Sequence, residues 1–394
     1  MLKILVVSSS FPIEPDSASG GGSFVQTLST GLSTKYDVRV LIPYVYSKKK
    51  LKKFDRLKVI KFKYFLKKGC NLTGGSGIFG NIKSNPFLII KIPFFLFFQW
   101  FNILKIIKKE KINVCHTHWL IPQGILVVLA KKILRNSNFK VLLTIHGSDI
   151  NKFKSKVFRK LILWTINNVD SVTVVSQALK KDLIDFGVKK DIYVYPMGVD
   201  MNLFKKLNVK KNENQLLFVG SLLEKKGLID LLDAFSELKK RFPRLELKII
   251  GTGNSDQFIN YSNKLGIQDS ITWQGKVNNK DLPKHYNEAG VFILPSHSEG
   301  LGLVSIEAMA CECLTVASEL PAIKDYIIPE KTGLFVDPKS PNSILIVIEN
   351  VLNRKYNTSY IVKHGRKYVE EHFSWDKSIS NYIALINRIY LKSK

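Results

Sequence analysis

This chain of 394 residues has few of the features that cysteine or metal chemistry needs. Its four cysteines, Cys70, Cys115, Cys311 and Cys313, are too few and too unevenly spaced for a disulfide framework. No C-x-x-C pair is present, so zinc and thioredoxin-like centres are not expected either. A reducing, cytoplasmic compartment fits this usage. Acidic residues are also scarce: 32 Asp and Glu face 60 Lys and Arg, a net charge of +28. An uninterrupted apolar run is lacking as well. The greasiest stretch, residues 86–104, is broken by Lys91 and Pro93, and its uncharged part, 92–104, has 13 residues. A bilayer span needs roughly 18–20, so no transmembrane helix is expected. The N-terminal Leu-Lys-Ile-Leu-Val-Val run is too short for a signal-peptide core and reads as a buried first strand.

What is present is ordinary globular material: 45% hydrophobic and 23% charged residues, enough to bury real cores and to exclude a disordered chain. The length favours two domains. The excess charge is lopsided. Residues 1–200 hold 33 basic and 11 acidic side chains, residues 201–394 hold 27 and 21. Residues 48–68 alone carry 11 Lys or Arg against Asp55, interleaved with Phe54, Phe62, Tyr64 and Phe65. Such a segment suits an anionic lipid surface, at about 1 kcal/mol per basic residue. Nucleic-acid phosphates and a plain genomic bias toward lysine are the competing explanations. The asymmetry between halves favours the lipid surface.

Short β-branched runs alternate with longer amphipathic stretches, the pattern of βαβ units and parallel sheets. Strands are expected at 3–8, 38–42, 58–62, 113–117, 140–145, 171–175 and 191–195. A second set lies at 215–219, 246–250, 271–274, 290–294 and 314–317. Helical patterns fill the gaps, for example at 228–241, 256–265 and 302–310. Residues 205–214 read as a polar linker, and beyond Pro341 the pattern is helical throughout. The fold class expected is α/β, two doubly wound Rossmann-like domains, whose ligands sit at the carboxyl ends of the strands.

The strongest chemical signal is Pro295-Ser296-His297-Ser298-Glu299-Gly300-Leu301-Gly302-Leu303-Val304-Ser305-Ile306-Glu307-Ala308. It follows a buried strand and opens a helix. Glycines let backbone approach a ligand, and the amides of Gly302, Leu303 and Val304 at the helix start form an anion site. Glu307 then lies about 7–8 Å further along the helix axis. A carboxylate at the loop and one inside the helix can hold the hydroxyls at both ends of an extended ligand, with a diphosphate between them.

Glu299 and Glu307 resemble the E-x7-E motif of the retaining GT-B glycosyltransferases of family 4. Gln274-Gly275-Lys276-Val277, Val316-Ala317-Ser318, Thr332-Gly333-Leu334, Asp337-Pro338, Pro196-Met197-Gly198-Val199-Asp200 and Thr144-Ile145-His146-Gly147-Ser148-Asp149 extend the resemblance over most of the chain, most weakly over 45–110. It implies the GT-B architecture, two Rossmann-like domains facing each other across a cleft. An N-terminal acceptor-side domain would span 1–204 and a nucleotide-sugar domain 205–374, with helix 375–394 packing back on the first.

It also implies roles. Glu307 would grip the ribose, Glu299 the donor sugar, and the Gly302, Leu303 and Val304 amides the diphosphate. Gly220-Ser221-Leu222-Leu223-Glu224-Lys225-Lys226-Gly227 resembles the family's G-R-L-x-x-x-K-G, placing Lys226 on the phosphates. Ser221 stands where the family has arginine, so a charge is missing there. Lys225 or a basic residue of the N-terminal domain would have to replace it. His146 matches the cleft histidine near the reacting carbon, with Asp149 beside it, and Gly20-Gly21-Gly22 resembles a glycine turn whose Gly21 and Gly22 amides approach the phosphates. His116 and His118 end another strand; His118 lines the acceptor side or is structural, and no further ligands complete a metal set. Glu312, Leu314, Pro321, Ala322 and Asp325 depart from the family near the donor.

The expected activity is transfer of a sugar from a nucleoside diphosphate sugar, UDP-linked by expectation, to a lipid-linked or glycan acceptor of surface polysaccharide synthesis, with retention and without cofactor or metal. The enzyme would be cytoplasmic and peripheral on the anionic inner leaflet, with no nucleic-acid partner. The alternative is a non-catalytic GT-B-fold binding protein or partner subunit, motivated by Ser221. Epimerase and phosphorylase readings lack their carboxylate or cofactor-lysine signatures.

Overall fold

The computed structural model describes residues 1–12, 22–46, 54, 56–73, 77–135, 138–147 and 156–391. The chain forms two units, Met1–Pro196 joined by Ser378–Lys394, and Met197–Lys377.

The first unit is built on β1 (Lys3–Val7), β2 (Asp37–Pro43), β3 (Lys58–Phe62), β4 (Val114–His118), β5 (Lys140–Ile145), β6 (Ser171–Val174) and β7 (Ile192–Val194). They lie in the order β3-β2-β1-β4-β5-β6-β7, and every pair is parallel. Val6 sits between Val40 and His116 in register. Helices cover both faces of such a sheet, which is why Ile4, Leu5, Val6 and Val7 form a continuous buried run rather than an alternating one. Strand order reverses between β1 and β4, the place where doubly wound sheets open a crevice at their strand ends.

The second unit repeats the plan with β8 (Asn212–Val219), β9 (Glu246–Ile250), β10 (Ile271–Gly275), β11 (Ala289–Leu294), β12 (Leu314–Ser318) and β13 (Leu334–Val336), ordered β10-β9-β8-β11-β12-β13 and again parallel. Helix Leu228–Arg241 shows why the alternation works: Leu228, Leu231, Leu232, Phe235 and Leu238 repeat at helical spacing and are buried. Asp230 opens that helix and Lys239, Lys240 and Arg241 close it, each charge favoured by the helix dipole. The strand patterns expected from the sequence match closely. Two details differ. Leu334–Val336, a three-residue edge strand too short to show a period, was not expected. Residues 205–214 are not a free linker, because Asn212, Glu213 and Asn214 open β8 and Asn287 ties the stretch down. Leu207 N donates to Asn287 Oδ1 at 2.8 Å, and Asn287 Nδ2 donates to Lys205 O at 3.0 Å.

The aromatic stretch departs further from expectation. A 3-10 segment, Pro86–Lys91, runs into helix Ile92–Glu110, giving 25 helical residues whose most apolar 18-residue stretch has a mean hydropathy of 1.8. By length and composition this helix is sufficient to cross a bilayer; counting only uncharged residues understated it, since helix continues through Lys91 and Pro93. Proline is tolerated there because it occupies the first turn of the α-helical part. Its two faces differ. Phe95, Ile103, Ile106 and Ile107 are buried, and Phe95 meets Phe62 of β3 at a ring distance of 5.6 Å. Phe94, Phe97, Phe98 and Phe101 remain exposed.

The C-terminal helix Trp375–Leu391 buries Tyr382, Leu385, Ile386 and Ile389 along one stripe. Tyr36 OH donates to Asn387 Oδ1 at 2.8 Å, and Ile379 packs over Gly31, where a β carbon would stand 2.2 Å from it. This helix is therefore part of the first unit's core. Ile386→Ala should destabilise that unit by about 2–5 kcal/mol, the usual range for deleting a fully buried aliphatic side chain. Urea unfolding of the full chain checks this; an unchanged midpoint would mean the helix is dispensable to the core.

Candidate functional site

In the second unit the relevant residues gather where β8 and β11 end, at that sheet's reversal of strand order. After β8 the chain turns through Gly220 and Ser221 into a short 3-10 segment, Glu224–Lys226. Gly227 then bends back with φ 69°, and its Cα passes so near Pro295 that an added β carbon would lie 1.8 Å from the Pro295 carbonyl oxygen. Only glycine allows both the left-handed backbone and this approach. The loop after β11 is pinned in return: His297 N donates to Lys225 O at 2.8 Å, and His297 Nε2 is hydrogen-bonded to Asp230 Oδ2 at 2.6 Å.

Two charged residues meet as a result. Lys226 Nζ lies 2.5 Å from Glu299 Oε1, and Ser296 Oγ donates to that same oxygen at 2.7 Å. Lys226 and Glu299 keep only 14% and 9% of their side-chain surface exposed, so this is a nearly buried, charge-assisted pair. Ser221 is partly exposed and Lys225 exposed on the same loop.

Gly302 caps helix Leu303–Ala310 with φ 79°, and Tyr326 OH stands where it would be 2.7 Å from an added β carbon. No acidic residue occupies the first turn of that helix, which leaves its amide end available to an anion. Glu307 lies on the same helix, only partly exposed, and accepts a hydrogen bond from Tyr286 OH at 3.1 Å. Burial pushes the Glu307 carboxyl up to about 7, against the opposing effect of that bond. The structure therefore brings Lys226, Glu299, Gly302, Leu303, Val304 and Glu307 to one edge of one sheet. Sequence reasoning gave no role to Ser296 or Tyr286, although Ser296 lies within the strongest motif, and it did not single out Tyr326 or the His297–Asp230 bond. Tyr286 follows the apolar rhythm of its helix and gave no signal of its polar contact.

In the first unit, His146 follows β5 and His118 ends β4. Their ring planes are nearly parallel, 18° apart, with His118 Nδ1 and His146 Nε2 at 3.0 Å. His118 is fully buried and reaches His146 rather than solvent, while His146 is partly exposed. Phe24 and Trp119 flank His146 at ring distances of 4.8 and 5.1 Å. Trp119 holds φ 68°, uncommon for a residue with a side chain and the kind of strain found at functional sites. Burial pushes His116 and His146 down to about 3 and His118 well below its ordinary value, so all three are neutral at pH 7. Among the described residues no group of three or more His, Cys, Asp or Glu is arranged to hold a metal ion. Gly22 caps helix Ser23–Leu32 against the Ser10 backbone. Gly21 and Asp149 lie outside the described residues.

Two family descriptions match the chain in succession. "Glycosyltransferase Family 4" covers residues 18–203 and "Glycosyl transferases group 1" covers residues 199–368. An uncharacterized glycosyltransferase of Methanocaldococcus jannaschii is 29% identical over 73% of this chain and 80% of its own length. The capsular polysaccharide biosynthesis glycosyltransferase CapH of Staphylococcus aureus is 27% identical over 66% of this chain and 74% of its own. Among solved structures, sucrose-phosphate synthase from Thermosynechococcus elongatus covers 100% of both chains with a TM-score of 0.79 at 21% identity.

The raised carboxyl has a thermodynamic consequence. The unfolded chain loses the Glu307 proton near its ordinary value of 4.5, the native chain at about 7. Between those values the native state binds more protons, so stability falls as pH rises through that window and levels off above it. Glu307→Gln removes this penalty. The melting temperature of the variant relative to wild type should be higher at pH 8 than at pH 4.5; a difference independent of pH would show that Glu307 titrates normally.

Proposed function

The chain belongs to the family 4 glycosyltransferases, with the GT-B fold, and we propose that it transfers a sugar from a nucleoside diphosphate sugar to a lipid-linked or glycan acceptor in surface polysaccharide synthesis. Transfer proceeds with retention of anomeric configuration and without a metal ion, and UDP heads the candidate nucleotides. One observation carries this reading: Lys226, Glu299, Glu307 and an acid-free helix start converge at one sheet edge. The similarity to a capsular polysaccharide glycosyltransferase supports the product class.

In this reading Glu307 takes the ribose hydroxyls, and the amides of Gly302, Leu303 and Val304 take the diphosphate together with Lys226. Glu299 takes the donor sugar. Before donor arrives, Lys226 and Glu299 neutralise each other, so neither stands as an uncompensated buried charge. Donor binding exchanges that pair for phosphate on Lys226 and sugar hydroxyls on Glu299. The leaving diphosphate gains preorganised positive charge and backbone donors, the main source of rate in such a site. It also removes the acceptor proton on the same face, so no protein nucleophile is needed. The family resemblance assigns His146, Asp149, Gly21 and Gly22 to the same reaction. Ser221 supplies a hydrogen bond but no charge, which is the observation favouring the non-catalytic alternative.

Charge-assisted hydrogen bonds contribute about 1.5–3 kcal/mol. Lys226→Met should therefore weaken nucleoside diphosphate binding by about 10- to 100-fold, and Glu307→Ala should abolish turnover or raise the donor KM. A thermal-shift panel of UDP, GDP, ADP and their sugar conjugates, followed by calorimetry of the best binder, checks this. Unchanged binding in Lys226→Met would remove the donor assignment. Binding by wild type without turnover of any sugar nucleotide would favour the non-catalytic reading.

The acceptor side is argued from the exposed aromatic face. Phe94, Phe97, Phe98 and Phe101 stand out from helix Ile92–Glu110, and Phe65 joins them at 6.0 Å from Phe94, with exposed Leu66, Lys67 and Lys68 next in the chain. Lys91 lies over the Phe65 ring at 5.1 Å. Aromatic rings beside ammonium groups match the headgroup level of an anionic leaflet, where lipid-linked acceptors reside. Phe94→Asp with Phe97→Asp should abolish flotation with phosphatidylglycerol vesicles and leave nucleotide binding intact. Equal flotation of wild type with neutral and anionic vesicles, or with none, would refute the lipid surface.

A further inference from the structure

The first unit contains a buried polar chain that the reaction as proposed does not use. His116 Nε2 is hydrogen-bonded to Thr144 Oγ1 at 2.8 Å, and Thr144 Oγ1 to Thr173 Oγ1 at 2.7 Å. Tyr382 OH, from the C-terminal helix, lies 3.3 Å from both threonine oxygens. The His116 ring lies against the His118 ring, centroids 4.4 Å apart and planes tilted by 35°. His118 in turn spends Nδ1 on His146, and its Nε2 is buried without a hydrogen-bond partner. Parallel pairing of β4 and β5 sets this spacing, since His118 pairs with Thr144 in register and His146 follows two residues later.

We propose that His118 is a positioning residue for His146: it occupies His146 Nε2, fixes the plane of the ring, and leaves only His146 Nδ1 to face a ligand. The bond between two neutral imidazoles contains one proton, so it couples the two tautomers: when His118 Nδ1 donates, His146 carries its proton on Nδ1, and when His146 Nε2 donates, its Nδ1 is an acceptor. Phe24 and Trp119 restrict the remaining rotation by flanking the His146 ring. His146 then acts as a fixed, neutral hydrogen-bonding group toward the donor sugar or the reacting centre, and it does not shuttle protons as a free base. The inference rests on the transferase reading for what His146 faces, and on the geometry of the first unit for how it is held.

The experiment is a long-range proton–nitrogen correlation spectrum of full-length protein labelled with nitrogen-15 histidine, with His146 assigned by its loss in His146→Gln. Wild type is expected to show a single neutral tautomer for His146. His118→Phe keeps an aromatic ring beside His116 but deletes the bond, and should convert that signal to an averaged mixture. His118→Asn presents a side-chain amide where Nδ1 stood, and should retain the single tautomer. An averaged or charged His146 in wild type overturns the proposal, and this holds even if the phenylalanine variant fails to fold. An unchanged tautomer in folded His118→Phe overturns it as well. The nucleotide panel tests the transferase reading separately, so loss of the histidine pair and loss of nucleotide binding are read from different measurements.

Discussion

The arrangement at the second sheet depends on one close approach of two backbones. Gly227 lies against the Pro295 carbonyl with no room for a β carbon. That contact draws the turn carrying Lys226 onto the loop carrying Ser296 and Glu299, although 73 residues separate the lysine from the glutamate. The His297–Asp230 bond and the His297 amide bond to Lys225 fasten the same junction from the other side. A larger residue at 227 would separate the loops. Lys226 and Glu299 would then each face the desolvation penalty of an unpaired buried charge.

Parallel sheets explain why such junctions fall where they do. Every strand of each sheet points the same way, so every strand ends at one edge, and the loops that follow are neighbours whatever their distance in sequence. In the second unit this edge collects a lysine, two carboxylates and a helix start. In the first it collects three histidines and two aromatic rings. The two edges differ in electrostatics. The second unit pairs opposite charges, whereas the first excludes charge, since burial keeps His116, His118 and His146 neutral.

Helix Ile92–Glu110 shows how one element can answer two sequence readings at once. Burial of Phe95, Ile103 and Ile107 makes it part of the core, while the ridge of Phe94, Phe97, Phe98 and Phe101 lies in solvent. The sequence showed the apolar content but not this division. With aromatics at nearly every position around 94–101, no helical period distinguishes a buried face from an exposed one.

Much of the molecule was legible in the order of its residues. Alternating short β-branched runs and amphipathic stretches are a local consequence of strand and helix geometry, so the two doubly wound domains could be read without a structure. The E-x7-E spacing of Glu299 and Glu307, and the Lys226-Gly227 turn, were equally local, because a loop and the first turns of a helix are set within a dozen residues. The partners of those residues were not legible. Lys226 with Glu299, Tyr286 with Glu307, His118 with His146 and Tyr382 with Thr144 are joined only when particular strands and helices become neighbours. Strand order is fixed by packing over the whole chain, and a sequence pattern contains the period of an element but not the identity of its neighbour. The sequence by itself therefore determined the elements, the fold class and which side chains carry chemistry. Only the tertiary structure decided which of them touch, because those contacts are long-range hydrogen bonds and ion pairs with no periodic trace.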